Sequence, residues 1–596
     1  MSRIAGLVSD SDRGVVDRML AAMIGLVGTT RQIVTSRRAS LGVLTWREPN
    51  ATCDAGVVAA VDSALWPAQD VVALYRRHGF LGALERIDGD FAIALHDAAT
   101  DTTWLARDRF GVKPLYYARL RDSFAFASQP RGLLAIPGVS RAPNRAFVAR
   151  FAGLHYRTFD NEPRESPYAA ISQVPAGSYL EVRAGTVREG VYWTLAEQPD
   201  LDDDEATLAE RYRELLIDAV ARRRKVADRP AFTLSGGMDS SSVLACAVKA
   251  SGRREHAFST VYHDETYDET AQIQTMLDAA VEQWHPIRIG NPDLATLIPK
   301  MIEANNEPVA TATWLSHYLL CEATQRAGFG TLFGGLGGDE LNAGEYEYFF
   351  YFFADLAASG GAGLQHETAK WVEYHDHPIF KKSAAVMRAG LERLVDLKTP
   401  GKCLPDSARL ARYRGLVRRD YVDLTSYEPR MDTPFTSYLK NRTYQDIFRE
   451  TAPCCLRAAD RQTTAFGLDV SWPFFDHRLV ELMFRIPATL KIRDGVTKHL
   501  LREAMRGILP DQTRMRIQKT GWNAPAHIWF ATGGGRELVL DLIASRDFEE
   551  RGIYDVAAVR ALLDEHRDIV VEGRAVDNHM MFFWQLVNLE LWLRAL

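Results

Sequence analysis

The chain has 596 residues, enough for two or more domains with sizeable cores. Its 71 Lys and Arg against 77 Asp and Glu leave a formal charge of −6, so no basic face is available for nucleic acid. The six cysteines form no CxxC pair and no Cys/His cluster with zinc spacing, and no uncharged apolar run approaches the roughly 18 residues of a membrane span, so neither a disulfide scaffold, a zinc site nor a membrane anchor is expected. A cytoplasmic protein is expected, with neither nucleic acid nor membrane as partner.

From Arg3 to about Trp193 short apolar or alternating segments such as "DFAIALHD", "TTWLARD", "SFAFASQ" and "SYLEVRAG" are punctuated by Gly, Pro and Asp, which predicts a strand-rich domain. The acidic "EQPDLDDDEAT" at 197 to 207 reads as a linker. A helix-like segment from Glu205 follows, and the basic run Arg222 to Lys225 at its end suits the helix dipole better than it suits a polyanion. Strand and helix signals then alternate: "RPAFTL", a helix, "HAFSTVY", a helix from about Tyr267, "HPIRI", a helix, and "GTLFGG". Such alternation predicts a parallel sheet covered by helices. From about Leu341 helices dominate, ending in an apolar "FFWQLVNLELWL" that is expected to cap the core. Within this part, "EYEYFFYFFADL" (345 to 356) reads either as a helix buried on most sides or as an aromatic wall for a bulky substrate.

The stretch "AFTLSGGMDSSSV" (231 to 243) predicts strand, tight loop and helix. Gly236 and Gly237 let backbone approach a ligand, the helix N-terminus adds partial positive charge, and Ser235, Ser240 and Ser241 supply hydroxyls, so a di- or triphosphate is the expected guest. Asp239 lies in the same loop. A second glycine-rich segment, "FGGLGGDELNAG" (333 to 344), places Gly335, Gly337 and Gly338 beside Asp339. Two carboxylates, Asp239 and Asp339, are thus expected to flank one Mg²⁺-bound triphosphate, a hard cation preferring oxygen ligands.

"SGGMDSS" lacks the lysine of GxxxxGK[ST] and resembles instead the pyrophosphatase loop of the N-type ATP pyrophosphatases. With "FGGLGGDELNAG", "FSTVYHDETYDETAQ" (258 to 272), "NEPVA" (306 to 310), "PFFDHRLVELMFRIP" (473 to 487), "TKHLLREAMRGILP" (497 to 510) and "RIQKTGWNAP" (516 to 525) following in order, the chain resembles the asparagine synthetase superfamily. The resemblance implies an α/β fold in two parts. Residues 1–196 would form an N-terminal glutaminase-like, Ntn-type αββα domain, on the strength of "GDFAIALHD" and "ARDRFGVKPLYY". Residues 206–596 would form a synthetase domain with a parallel sheet of the ATP-pyrophosphatase, adenine nucleotide α-hydrolase-like type and a helical extension. It also implies ATP and Mg²⁺, an acyl-adenylate, and a catalytic role for Asp339 and for Lys519, whose family counterpart contacts the reacting phosphate and carbonyl oxygens.

Three departures narrow the resemblance. Ser2 stands where a working glutaminase has cysteine, and "VDSALW" (61 to 66) replaces the Asn-Gly-Glu that builds the oxyanion hole, so glutamine hydrolysis is not expected. Leu336 stands where asparagine synthetases carry Glu and β-lactam synthetases Tyr. Thr311-Ala312-Thr313 replaces the usual Asp-Pro-Ser after "NEPVA". The chain is most similar to the lasso peptide macrolactam synthetases, which implies a precursor peptide as substrate and a separate leader peptidase as partner. The alternatives are a β-lactam-type or an ammonia-dependent asparagine-synthetase-like enzyme on a small acid, and an inactive scaffold.

Overall fold

The computed structural model describes residues 2–9, 13–23, 29–264, 266–518 and 524–596. The N-terminal part is built on two six-stranded antiparallel sheets packed face to face. In one the order is Ser172–Gln173, Tyr116–Arg119, Phe124–Ala127, Ser2–Val8, Ala39–Thr45, Thr30–Thr35; in the other it is Thr186–Val191, Ser178–Arg183, Thr102–Arg107, Ala92–Asp97, Val57–Asp62, Ala51–Asp54. Period-two alternation makes the layers. Along Val57–Asp62, Val58 and Ala60 face the other sheet's Ile4, Leu41, Val43 and Phe126, while Val57, Ala59 and Val61 face helix Ala68–Leu84 through Val71, Val72 and Phe80. Helix Arg13–Ala22 covers the outer face of the first sheet. The helix–sheet–sheet–helix order agrees with the expected αββα arrangement.

After the acidic stretch, Asp204 caps helix Glu205–Val226 by accepting the Thr207 N–H. The basic run at its far end is spent on ion pairs: Arg222 with Asp88, Arg223 with Asp90 and Asp476, Arg224 with Glu255. Five parallel strands follow in the spatial order Val281–Ile289, Glu255–Tyr262, Pro230–Thr233, Thr331–Phe333, Asp469–Ser471. Pro230–Thr233, first in sequence, is central, and the chain goes out to one side of it before returning to the other. The sheet therefore has a topological switch point between Pro230–Thr233 and Thr331–Phe333, and a crevice opens there at the carboxyl ends of the strands. Ala231, Phe232, Leu332 and Phe333 are fully buried, as strands covered on both faces require.

The aromatic segment forms helix Tyr348–Ala358 in a core of its own, with Tyr348, Phe349, Phe352 and Phe353 packed among Trp371, Leu391, Leu394, Tyr438 and Ile492. The two glutamates that interrupt its apolar run pair with arginines: Glu345 with Arg157, Glu347 with Arg157 and Arg409. Burial pushes the Glu347 carboxyl up, but Arg157, Arg409 and Arg442 together hold it well below the usual range. Helix Met580–Arg594 closes the structure; its Trp584 Nε1 donates to the carbonyl of Val309 and its Gln585 to that of Phe151. Among the described residues no helix is long and apolar enough to cross a membrane.

Candidate active site

The crevice at the switch point is a cavity of about 220 Å³. Its floor is the loop Ser235 to Gly237, where strand Pro230–Thr233 gives way to helix Met238–Ser251. The turn is held from within: Ser235 Oγ lies 2.9 Å from Ser240 Oγ and accepts the Gly237 N–H at 3.2 Å, while the Ser235 N–H donates to Ser240 Oγ at 3.1 Å. Gly237 caps the helix without a side-chain acceptor, so the positive end of a 14-residue helix faces the cavity. The Gly236 N–H donates to Glu269 Oε2 at 3.0 Å, and Arg516 Nη1 donates to the Gly236 carbonyl at 2.9 Å. In this structure a carboxylate takes the loop amide that an anionic phosphate oxygen would take.

The second loop follows strand Thr331–Phe333 and comes close to the first. A Cβ on Gly338 would lie 2.4 Å from Asp239 Cγ, so only glycine lets the two loops meet. Across the gap Lys498 Nζ lies 2.6 Å from Asp239 Oδ2 and 2.7 Å from Asp339 Oδ1. Gly344 makes room for this cation, since a Cβ there would fall 2.2 Å from Lys498 Cε. Lys498 sits in the left-handed region (φ 60°) at the end of the hairpin Ile492–Arg493/Val496–Thr497. The hairpin is clamped from both sides. Glu367 accepts the N–H groups of Asp494 and Gly495 at 2.8 and 2.9 Å, His375 Nε2 lies 2.7 Å from the Gly495 carbonyl, and Glu205 holds both Arg493 and His499. The ammonium between two carboxylates shows that the pair is arranged to hold positive charge, which is the donor set Mg²⁺ requires.

Among the described residues, the six charged ones that line the cavity gather at this end. Asp239, Asp339 and Lys498 form the bridge; Glu269 and Arg516 grip Gly236; Arg502 donates to the Thr497 carbonyl beside Lys498, its guanidinium pulled down to about 10 by burial and supported by Asp239. Among the described residues the remaining wall is uncharged, with Tyr262 and Tyr267 from the strand end and the turn after it, Trp314, His317 and Leu320 from helix Thr313–Arg326, then Leu336 and Trp472. Burial pulls the His317 imidazole down to about 4, so the ring is neutral near pH 7.

Of the residues expected from the sequence, Ser235, Gly236, Gly237, Asp239, Ser240, Gly335 and Asp339 line the cavity together. Ser241 is fully buried behind them, and Gly337 and Gly338 lie on the far side of the second loop, against Phe475 and Asp239. Lys519 and its neighbour Trp522 fall outside the described residues. None of residues 345 to 356 lines the cavity, which corrects the aromatic-wall expectation: Tyr348 and its neighbours are consumed by their own core, and the aromatic lining comes from Phe258, Tyr262, Tyr267, Trp314 and Trp472 instead. Sequence reasoning passed over Lys498, Glu269, Arg516 and His317. The signal for Lys498 was present in "TKHLL", a lysine just ahead of an apolar helix start, but nothing local tells such a residue from a surface lysine.

The N-terminal part has a second charged cluster at its boundary with the sheet of the synthetase-like part. Arg3 is fully buried; its guanidinium donates to Asp62 Oδ2 at 2.9 Å, to Asp460 Oδ1 at 2.8 Å and to the Thr464 hydroxyl. Lys113 Nζ approaches Asp62 at 3.8 Å. In the turn "DSALW", Leu65 packs over Gly89 and Trp66 Nε1 donates to the Asp88 carbonyl. The space left beside Leu65, Asp90, Lys113 and Arg223 is about 30 Å³, roughly one water molecule.

Comparison with known proteins agrees with this division. Residues 211–594 match the asparagine synthase family, and residues 68–193 match the glutamine amidotransferase domain family. The chain is 26% identical over 457 residues to asparagine synthetase [glutamine-hydrolyzing] 3 of Bacillus subtilis, covering 73% of this chain and 67% of that one. It is 25% identical over 553 residues to a putative asparagine synthetase [glutamine-hydrolyzing] of Mycobacterium tuberculosis, covering 90% and 80%. It is 24% identical over 546 residues to the amidase chry2 of Gibberella zeae, covering 83% and 78%.

Proposed function

We propose, for a chain that belongs to the asparagine synthase family, that its ATP-dependent amide-forming chemistry closes a macrolactam in a precursor peptide, as in lasso peptide biosynthesis. An Asp or Glu side chain of the peptide is adenylated, pyrophosphate leaves, and the peptide's own α-amine attacks, releasing AMP. The chain divides near residues 196–206 into a retained amidotransferase-like scaffold and the synthetase.

The observation that carries the reading is the division of the cavity wall. Among the described residues, the six charged ones that line the cavity cluster around the phosphate loop and the Asp239–Lys498–Asp339 bridge, and the other lining residues are uncharged. A free aspartate would bring an α-ammonium and an α-carboxylate against that neutral wall, where unpaired charges are costly to desolvate. A side-chain carboxylate within a peptide brings neither. The α-amine of a peptide has a pKa of about 7.7–8.0, so it is partly neutral near pH 7 and can attack without prior activation. Holding both ends of one chain in the cleft adds proximity, with effective molarities up to about 10⁵–10⁸ M for well-oriented groups.

In this scheme the loop Ser235 to Ser240 binds the triphosphate through its amides, hydroxyls and helix end. Asp239 and Asp339 would hold Mg²⁺, which neutralises the leaving pyrophosphate. Lys498, displaced from the carboxylate pair, stabilises charge at the reacting phosphorus. By the family resemblance Lys519 supplies a second cation at the phosphate and carbonyl oxygens. Ser2 in place of cysteine and "VDSALW" in place of Asn-Gly-Glu support a glutaminase-like domain that no longer hydrolyses glutamine, so the amine comes from the substrate. A separate peptidase would expose that amine.

The test is ATP–pyrophosphate exchange with three parallel offers: a candidate precursor peptide, aspartate with ammonium, and carboxyethyl-arginine, each followed by mass spectrometry. Exchange with the peptide and a product lighter by one water support the macrolactam. Exchange with a small acid moves the enzyme to asparagine or β-lactam chemistry. Failure to bind Mg-ATP at all returns the inactive scaffold.

A further inference from the structure

The hairpin that ends in Lys498 presses its turn against helix Leu364–His375. Gly495 (φ 70°) comes so near that a Cβ there would fall 2.8 Å from the backbone of Lys370, so two well-defined elements meet with little slack. Three donor groups converge at this contact. His366 and Glu367 stand in the first turn of the helix, and Asp494 stands in the hairpin turn. His366 Nε2 lies 2.7 Å from Asp494 Oδ1, and one ligand atom from each of the three residues lies within 4.8 Å of the others.

The contact is short of positive charge. Glu367 is buried, and its two oxygens accept the amides of Asp494 and Gly495, which are uncharged donors. Among the described residues Glu367 is in no ion pair, Asp494 pairs with His366 alone, and Lys370, one turn along the helix, is turned to Glu373. Two carboxylates therefore share one imidazole and neither an ammonium nor a guanidinium. Each Glu367 oxygen keeps a further lone pair after accepting one amide. Imidazole nitrogen with carboxylate oxygen is the donor set of late first-row divalent cations. Zn²⁺ takes such donors at about 2.0–2.2 Å, which places neighbouring donors roughly 3–3.5 Å apart. The spacing here closes to that by rotation of the His366 and Asp494 side chains, which are exposed.

We propose that His366, Glu367 and Asp494 form a binding site for a divalent cation of the Zn²⁺ class, with water completing its shell. The cation joins the helix to the hairpin turn, and its charge offsets both carboxylates. The imidazole sets this site apart from the pair Asp239 and Asp339, whose oxygen donors suit Mg²⁺. Because the hairpin carries Lys498, occupancy fastens the element that positions that ammonium. The site is independent of which acid and amine the enzyme joins.

Zn²⁺ alone is the probe, titrated by calorimetry into the full chain in excess Mg²⁺, with hydrogen exchange of the hairpin amides as a second readout. His366→Ala and Asp494→Asn alter exposed side chains and leave Glu367 on its two amides; asparagine also tolerates the left-handed backbone of Asp494 (φ 50°). Wild type is expected to take one equivalent with a Kd of about 1–10 μM, and each variant to bind at least about 30-fold more weakly. His366→Cys, which keeps a zinc donor, should recover most of the affinity. Saturating Zn²⁺ should slow exchange of the Asp494 and Gly495 amides about tenfold in wild type and leave it unchanged in His366→Ala. The proposal is overturned if wild type binds Zn²⁺ no more tightly than about 100 μM. It is equally overturned if His366→Ala binds as wild type does, which would place the ion elsewhere, for example on the exposed Cys53, or if Zn²⁺ leaves the two amides unprotected.

Discussion

Two charge clusters in this molecule differ in what surrounds them. Around Lys498 the ammonium and two carboxylates border a cavity of about 220 Å³, where an incoming triphosphate and its metal can exchange partners with them. Around Arg3 the guanidinium pairs with Asp62 and Asp460 and donates to the Thr464 hydroxyl, and all three charged side chains are buried. A charge cluster beside open volume can do chemistry, whereas the same groups packed without volume can only fix one surface against another. Arg3 ties the N-terminal sheet to helix Thr451–Ala465 of the synthetase part through Asp460.

The contrast breaks first at Lys498. Lys498→Ala should lower ATP–pyrophosphate exchange by roughly 10²–10³, the scale on which one preorganised charge acts on a transition state. ATP binding, followed by calorimetry, should change far less, because the loop amides and helix end remain; an equal loss in both would make Lys498 a binding residue only. Arg3→Ala should do the reverse. Removing one partner of a buried ion pair leaves uncompensated carboxylates, at a cost of about 3–5 kcal/mol. Denaturant unfolding would register that loss, while exchange per folded molecule stays within about twofold of wild type. A strong effect of Arg3→Ala on exchange would mean that the two clusters communicate.

The sequence made the two loops at the cavity legible because their pattern is local: strand, glycine turn and helix start lie within the thirteen residues from Ala231 to Val243, and Asp339 stands in its own glycine-rich loop. The αββα and parallel-sheet parts were legible for the same reason, since period-two alternation and βα alternation are local patterns. What escaped depends on distant parts of the chain. Lys498 arrives more than 250 positions after Asp239, carried by a two-stranded hairpin too short to announce itself. His317 becomes a wall residue only because Gln462 and helix Thr313–Arg326 are packed together. The aromatic run Tyr348 to Phe353 allowed two readings, buried helix or aromatic wall, and the buried helix is the one found, since composition alone cannot distinguish a core from a pocket. Its companions Trp371, Leu391 and Tyr438 are what make it a core.

A smaller effect is expected one layer behind Lys498. Glu367 is 8% exposed and is the acceptor for two hairpin amides, so Glu367→Ala leaves both amides seeking partners, at about 1–3 kcal/mol each. Part of that cost should appear as a displaced Lys498. Exchange should fall about tenfold through kcat, with KM for ATP nearly unchanged, because the triphosphate loop itself is untouched. A change confined to KM would detach the clamp from the lysine and assign it to nucleotide binding.

The smallest expected effect is none, and it tests the other side of the comparison. Ser2→Cys restores the nucleophile type of a glutaminase, yet glutamate release from glutamine should stay at background. A thiolate needs a neighbouring donor pair to stabilise the oxyanion and a pocket that admits glutamine. Here the "DSALW" segment folds Leu65 over Gly89 and ties Trp66 to the Asp88 carbonyl. Adding Arg3→Gly to Ser2→Cys removes the cation that Asp62 and Asp460 share, so the double variant should lose stability before it gains hydrolysis. Glutamine turnover by Ser2→Cys alone would overturn the proposal that this domain no longer serves as a glutaminase.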